Sequence, residues 1–349
     1  GALSYPGALD AQPGGGSDRV LATRIAGDGT SAYLDGMGVG AKFHSIRGMH
    51  LTADGVLYIA DRGNHTIRRM TSHGEVTTVI GSPSKNVGVL PGTGVVASLA
   101  SPNAVWMNDQ ETEGFAVTDT QVVRLTRNGD PKQIGSWTLS VVAGTTAGIV
   151  EGVGSTARFN GLRDIMRVSD TELLLCDMVN GRIRRMVQTG ADRGLAASWT
   201  FSTFVSAMAK PVNILRTMEG VMFVSAEAGA VYRVIPAGSY TVYAGSTTLN
   251  GYINGARQNA RFNSSVAGLT ADEAGHLYLG ETGSGRIRRI SLNSEMVATV
   301  LKGGPSAVEG KGDVASLGGG VTMLEMMPDG DLYASDGASI WTVRRIVGP

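Results

Sequence analysis

The sequence predicts an all-β fold, a six-bladed propeller of four-stranded antiparallel blades, and three observations carry that prediction. The first is a phrase that recurs about six times. Its clearest copies are IADRGNHTIRRM (59–70), LCDMVNGRIRRM (175–186), LGETGSGRIRRI (279–290) and ASDGASIWTVRRI (334–346), with weaker copies VTDTQVVRL (117–125) and SAEAGAVYRV (225–234). Aligned on Arg68, Arg124, Arg184, Arg233, Arg288 and Arg344, the copies are spaced by 56, 60, 49, 55 and 56 residues. A unit of that size cannot bury its own apolar faces, so it must stack on its neighbours, and the array must close or be capped. The second observation is a glycine-rich connection that repeats as LDGMGVGAKFHS (34–45), VEGVGSTARFNG (150–161) and INGARQNARFNS (253–264), with looser copies at 89–101 and 308–319. The third is an orphan strand, VLATRIAG (20–27), in a chain whose last copy lacks a fourth strand.

Each element follows from local chemistry. In the first copy, RGMHLTAD (47–54) and VLYIAD (56–61) are apolar runs joined at Asp54-Gly55, which reads as a tight hairpin. TIRRMT (66–71) and VTTVIG (76–81) follow, separated by a turn at Ser72–Gly74. Four short strands repeated around an axis are propeller blades. The same reading places blades at 47–81, 102–144, 163–206, 211–245, 265–303 and 320–347. In the connections, the Phe or Leu of Ala-x-Phe or Ala-x-Leu is expected to plug the crevice between blades. The fourth unit lacks this insert, which accounts for the short 49-residue step. The orphan strand at 18–27 is expected to complete the last blade and so remove an exposed sheet edge. Residues 1–17, rich in Gly, Pro and Ala, read as a loose leader to a single domain spanning 18–348.

Composition narrows the partners. Thirty basic residues balance thirty acidic ones, which argues against nucleic acid or an anionic membrane as the default partner. No apolar run reaches the roughly 18 residues of a membrane span. The single cysteine, Cys176, cannot form an internal disulfide and reads as a small buried residue. Both chain ends read as trimmed, which predicts an excised domain of a larger, surface-anchored protein with an extracellular or cell-surface location. The propeller itself is expected to be monomeric.

The blade pattern L-Y-[IVL]-A-D…N…I-R-[RK], with DGxGxxAxFN before the inner strand, resembles the NHL-repeat family of six-bladed propellers over residues 18–348. The resemblance implies the fold and leaves the activity open. Members include RNA-binding modules, protein-interaction and adhesion ectodomains, and a zinc-dependent lyase. Related propellers include calcium-dependent lactonases and esterases.

Three sets of residues could carry chemistry. An acid ending the second strand faces an arginine early in the third: Asp61 with Arg68, Asp177 with Arg184, Glu281 with Arg288 and Asp336 with Arg344. A pairing repeated once per blade reads as a structural ion pair, because arginine can bind a carboxylate through two parallel N–H groups. The competing reading is a basic ring for RNA, whose affinity would fall steeply with salt. A zinc site would need several imidazoles converging from inner strands. Of the five histidines, His44, His50, His65, His73 and His276, only His50 lies on an inner strand, and its expected counterparts are Val105, Met166, Leu215, Gly268 and Glu325. At the inner-strand entrances, Gly48, Asn103, Asp164, Asn213, Val266 and Met323 align. Asn103, Asp164 and Asn213 resemble part of the calcium set of lactonase-like propellers, which suits a hard cation, but blade 1 supplies glycine rather than glutamate. The alternative is that the three bond water and backbone. Sequons occur at Asn64 and Asn263, each inside a repeat motif.

The expected function is therefore non-enzymatic: a rigid platform that binds a protein or glycan through rim loops, with Arg47 and Arg163 as candidate contacts and no cofactor. The alternative is a calcium-dependent hydrolase or lyase working in the channel through Asn103, Asp164 and Asn213. An RNA-binding module is the third.

Overall fold

The computed structural model describes residues 16–263 and 265–346. These residues form six antiparallel blades. Their inner strands are Ile46–Leu51, Ala104–Met107, Leu162–Ser169, Pro211–Arg216, Val266–Ala271 and Met323–Met326. The last blade takes its fourth strand from the N-terminus: Val20–Ala26 pairs with Ile340–Arg345, with Val20 opposite Arg345 and Thr23 opposite Thr342. The leader expected over 1–17 lies outside the described residues except for its end, where buried Ser17 donates its N–H to the Val300 carbonyl at 2.9 Å. Among the described residues no helix is long and apolar enough to cross a membrane. The chain divides into two compact bodies, Gly27–Ile214 and Gly1–Ala26 with Leu215–Pro349. The first contains blades 1 to 3.

Five blades carry an additional two-residue strand at the outer edge: Gly36–Met37, Gly92–Thr93, Gly152–Val153, Gly255–Ala256 and Gly310–Lys311. All five come from the repeated insert. Blade 4, preceded only by residues 206–210, ends at Tyr240–Gly245. Insert residues Leu99, Phe159, Phe262 and Leu317 lie in the apolar clusters between blades, each at most 1% exposed. The glycine that closes the fourth strand of blade 1 also has a physical cause. Gly81 sits at φ 90°, where a Cβ would come within 2.1 Å of the His65 carbonyl oxygen, a backbone geometry and spacing that only glycine tolerates.

The insert is fastened by a buried clamp in alternate blades. Arg68 bonds Asp61 at 2.8 Å and the carbonyls of Leu34 and Lys42 at 2.8 Å each. Arg184 bonds Asp177 at 3.0 Å and the carbonyls of Val150 and Arg158 at 2.9 Å. Arg288 bonds Glu281 at 2.8 Å and the carbonyls of Arg261 and Ile253. Each guanidinium lies over the insert phenylalanine, Phe43, Phe159 or Phe262, at 4.9–5.0 Å. All six charged side chains are fully buried. Asn64 belongs to the same clamp: its amide donates to Asp61 and to the Ala32 carbonyl, and it is 4% exposed. Ser264 of the second sequon lies outside the described residues.

The expected pairing of Asp336 with Arg344 does not occur. Asp336 meets Arg24 of the closing strand at 3.3 Å, and Arg24 stacks on Trp341 at 4.8 Å. The reason is register. The pairing of third and fourth strands slips by one residue in every blade, and the residues just after the slip are Arg68, Val123, Arg184, Tyr232, Arg288 and Trp341. Arg124, Arg233 and Arg344 are therefore not the equivalents of Arg68; Arg344 lies opposite Leu21 and is exposed. Arg24→Ala is expected to cost about 1–2 kcal/mol, because it strips a charged hydrogen bond from Asp336 and another from Ser339. Arg344→Ala should stay within about 0.5 kcal/mol. Chemical denaturation midpoints of the two variants check this, and the reverse order would contradict the register.

Candidate functional site

The inner-strand entrances do not assemble the expected oxygen set. In blades 1 and 3 the inner strand carries one extra residue, Arg47 and Arg163, so that Gly48 faces Ala60 and Asp164 faces Cys176. Blade 2 has no such slip, and Ala104 takes the equivalent place opposite Val117. Asn103 thus sits one residue out of register, and a one-residue shift turns a side chain to the other face. Its amide donates to the Leu162 carbonyl and to Asp119, each at 2.7 Å, and its oxygen accepts from Arg62. Asp164 and Asn213 do meet: Asp164 Oδ2 accepts the Ile214 N–H at 2.9 Å and the Asn213 amide at 3.4 Å, while Oδ1 accepts the Ile165 N–H at 2.9 Å. Burial pushes the Asp164 carboxyl up to about 6, against these hydrogen bonds. Among the described residues no group of three or more His, Cys, Asp or Glu side chains gathers to hold a metal. Arg163 points toward the Met178 sulfur at 3.4 Å, and Arg47 is half-buried on its strand. Cys176 is fully buried.

A different site lies at the far ends of the same inner strands. A cavity of about 530 Å³ opens among the turns that leave blades 1, 2 and 3. The strand ends supply His50, Trp106 and Arg167, and the turn after Ala104–Met107 supplies Asp109 and Gln110. His50 and Trp106 are equivalents, since His50 faces Tyr58 and Trp106 faces Phe115 in their pairs. The counterpart of His50 in blade 2 is therefore Trp106 and not Val105. The Trp106 ring lies 6.0 Å from the imidazole of His50 and stacks at 6.3 Å on Phe115, which is fully buried.

Glu113 stiffens this wall. It accepts from Arg193 at 2.6 and 3.1 Å and from Arg124 at 2.8 Å. Burial alone would raise its carboxyl, but the two guanidiniums overcome that and hold it below the usual range. Arg193 in turn lies over Trp199 at 5.1 Å. Glu111 shapes the turn beside it. It occupies the left-handed region at φ 57°, where the matching turn of blade 1 has Gly55 at φ 86°. Its carboxylate holds Arg69 and the Tyr58 hydroxyl, which offsets the strain of a non-glycine residue there. Burial pushes the His50 imidazole down to about 4, against the pull of the Met107 carbonyl and of Asp109.

Indole N–H groups distinguish this cavity. Trp137 donates to the Pro131 carbonyl at 3.0 Å, Trp199 to the Arg193 carbonyl at 3.0 Å and Trp341 to Asp336 at 3.1 Å. The half-buried Trp106 N–H meets no acceptor among the described residues. That N–H is not enclosed in the protein and so stays open to a partner from outside. A second cavity of about 550 Å³, in the other body, is lined by Met218, Met326 and Met327 and holds no aromatic side chain. Arg47, Arg163, Asn103, Asp164 and Asn213 line neither cavity. The sequence offered one clue to the aromatic cavity: of the four tryptophans, only Trp106 lies on an inner strand.

No protein-family model matches the chain, and no curated protein matches it. Solved structures do. The chain resembles a protein of unknown function from Bacteroides thetaiotaomicron at TM-score 0.70 and 16% identity, covering 93% of this chain and 75% of that one. An auxiliary nutrient binding protein from the same organism matches at TM-score 0.66 and 13% identity, covering 94% and 77%. A virginiamycin B lyase from Staphylococcus aureus matches at TM-score 0.53 and 10% identity, covering 93% and 98%. At these identities the likeness shows the six-bladed propeller fold alone.

Proposed function

We propose that this chain is a non-enzymatic binding propeller, an ectodomain-like module with NHL-type blades that captures an external ligand in the cavity walled by Trp106. One observation carries the reading: a flat aromatic ring whose N–H has no protein acceptor among the described residues lines an open cavity whose volume lies in the range of about 300–1,000 Å³ usual for ligand sites. Two features support it. The polar groups at the inner-strand entrances are engaged within the protein: Asn103 with Asp119, Arg62 and the Leu162 carbonyl, and Asp164 with Asn213. Structural neighbours include proteins described as nutrient binding, and an extracellular or surface location fits that description. The ligand sought is the protein or glycan expected of such a module, engaged at the inner-strand turns rather than at Arg47 and Arg163.

Ligand-observed NMR with a mixed fragment library tests the reading. The library contains amino acids, short peptides, sugars and nucleosides, and is run with and without added calcium chloride. Saturation transfer should appear in the wild type without calcium, disappear in Trp106→Ala and persist in Asp164→Asn. Transfer that needs calcium and vanishes in Asp164→Asn, or turnover of a lactone or ester, would establish the hydrolase instead.

A further inference from the structure

We propose that the Trp106 cavity is a saccharide site that takes a neutral sugar, one pyranose ring lying on the indole and its hydroxyls meeting the rim. This rests on the binding reading above and names the ligand class. Three features of the cavity lead to it. The first is the ring itself. Trp106 offers an apolar face held rigid by Phe115, with a donor at its edge. Tryptophan suits places where one end of a partner is apolar and the other wet. A sugar ring has that character, with C–H groups on its face and hydroxyls around its edge.

The second feature is the kind of polar group present. One Asp109 oxygen accepts the Ala53 N–H at 2.8 Å, and the other meets no donor among the described residues. The Gln110 carboxamide is exposed and also lacks a partner among them. Asp170 binds Arg167 through one oxygen at 2.6 Å, leaving its second oxygen open. Planar groups that each leave a donor or acceptor open match adjacent hydroxyls, which both give and accept hydrogen bonds.

The third feature is charge. Both guanidiniums of the lining already hold carboxylates, Arg193 on Glu113 and Arg167 on Asp170. Asp109 is left without a cation, and His50 is neutral at pH 7. A phosphate, sulfate or uronate would therefore meet more negative charge than positive. An uncharged ligand with many hydroxyls meets no such penalty.

The test is a titration of the intact protein with maltotriose, cellotriose, xylotriose and N,N′-diacetylchitobiose, followed by tryptophan fluorescence and calorimetry. Glucuronate, glucose 6-phosphate and choline serve as charged comparators, and a mixture of tripeptides as the peptide comparator. At least one neutral saccharide should bind. Trp106→Ala should weaken it at least about tenfold, and Trp106→Phe, which keeps a ring but loses the N–H, by less. Unchanged thermal unfolding of Trp106→Phe keeps that comparison valid if the alanine variant fails to fold. Tighter binding of glucuronate or glucose 6-phosphate, or of choline, would overturn the neutral-sugar assignment. Binding of tripeptides alone, lost in the Trp106 variants, would overturn the saccharide class while leaving the binding reading in place. No ligand with a Trp106-dependent signal would remove both.

Discussion

Arg184→Ala should lower stability by about 3–5 kcal/mol, the usual cost of stranding one partner of a buried ion pair. Arg184 and Asp177 are both fully buried, and removing the guanidinium leaves the carboxylate with only the Asn160 N–H and the Asn180 amide. It also takes one of two donors from each of the Val150 and Arg158 carbonyls, which keep only each other's backbone N–H, at 2.9 and 3.3 Å. Those carbonyls belong to the insert, and the insert carries Phe159 into the apolar cluster of blades 2 and 3. The variant should therefore become sensitive to proteolysis within 150–161, because local opening follows the loss of local contacts. Arg184→Lys should recover only part of the loss, since an ammonium cannot reach a carboxylate and two carbonyls through a planar fork. Urea midpoints measure the first effect and limited proteolysis the second. A loss below about 1 kcal/mol, as for an exposed ion pair, would show that the clamp does not hold the insert.

Acid should act on His50 and Asp164 in opposite directions. The folded His50 imidazole is depressed from 6.5 to about 4. Its contribution to stability is fully present above pH 6.5 and is lost as pH falls through about 4. The folded Asp164 carboxyl is raised from 3.8 to about 6. Its contribution is fully present below pH 3.8 and is lost as pH rises through about 6. Each shift corresponds to about 1–3 kcal/mol after discounting for the water that reaches these half-buried groups. In the wild type the two slopes largely cancel between pH 4 and 6. Relative to wild type, His50→Gln should gain stability as pH falls across that window, and Asp164→Asn should lose it. Denaturation midpoints at several pH values give both differences, and slopes of the same sign in the two variants would contradict the assigned environments.

Much of the fold can be read directly from the sequence. The repeated phrase marks the blades, the Ala-x-Phe signal marks the side chains that fill the crevices, and the missing sixth fourth strand points to VLATRIAG. These are patterns of burial, and burial is written in residue type. Register is not. A single extra residue at Arg47 or Arg163 leaves composition and spacing almost unchanged yet moves Gly48 and Asp164 out of line with Asn103. The slip between third and fourth strands puts Trp341, and not Arg344, in the place of Arg68. One residue of slip reverses a side chain's face, so a candidate site aligned by spacing alone can come apart. The Trp106 cavity escaped sequence reading for another reason. A tryptophan on an inner strand is equally consistent with a core residue, and what distinguishes this one is an acceptor missing from beside its N–H, which only three-dimensional placement reveals.

The most direct measurement is a crystal structure of the protein with the tightest-binding saccharide or fragment. Ligand density lying on the Trp106 indole, within hydrogen-bond reach of Asp109, is the predicted result. Density bound instead at Asp164 and Asn213, with a cation between ligand and carboxylate, would contradict it and return the protein to the hydrolases.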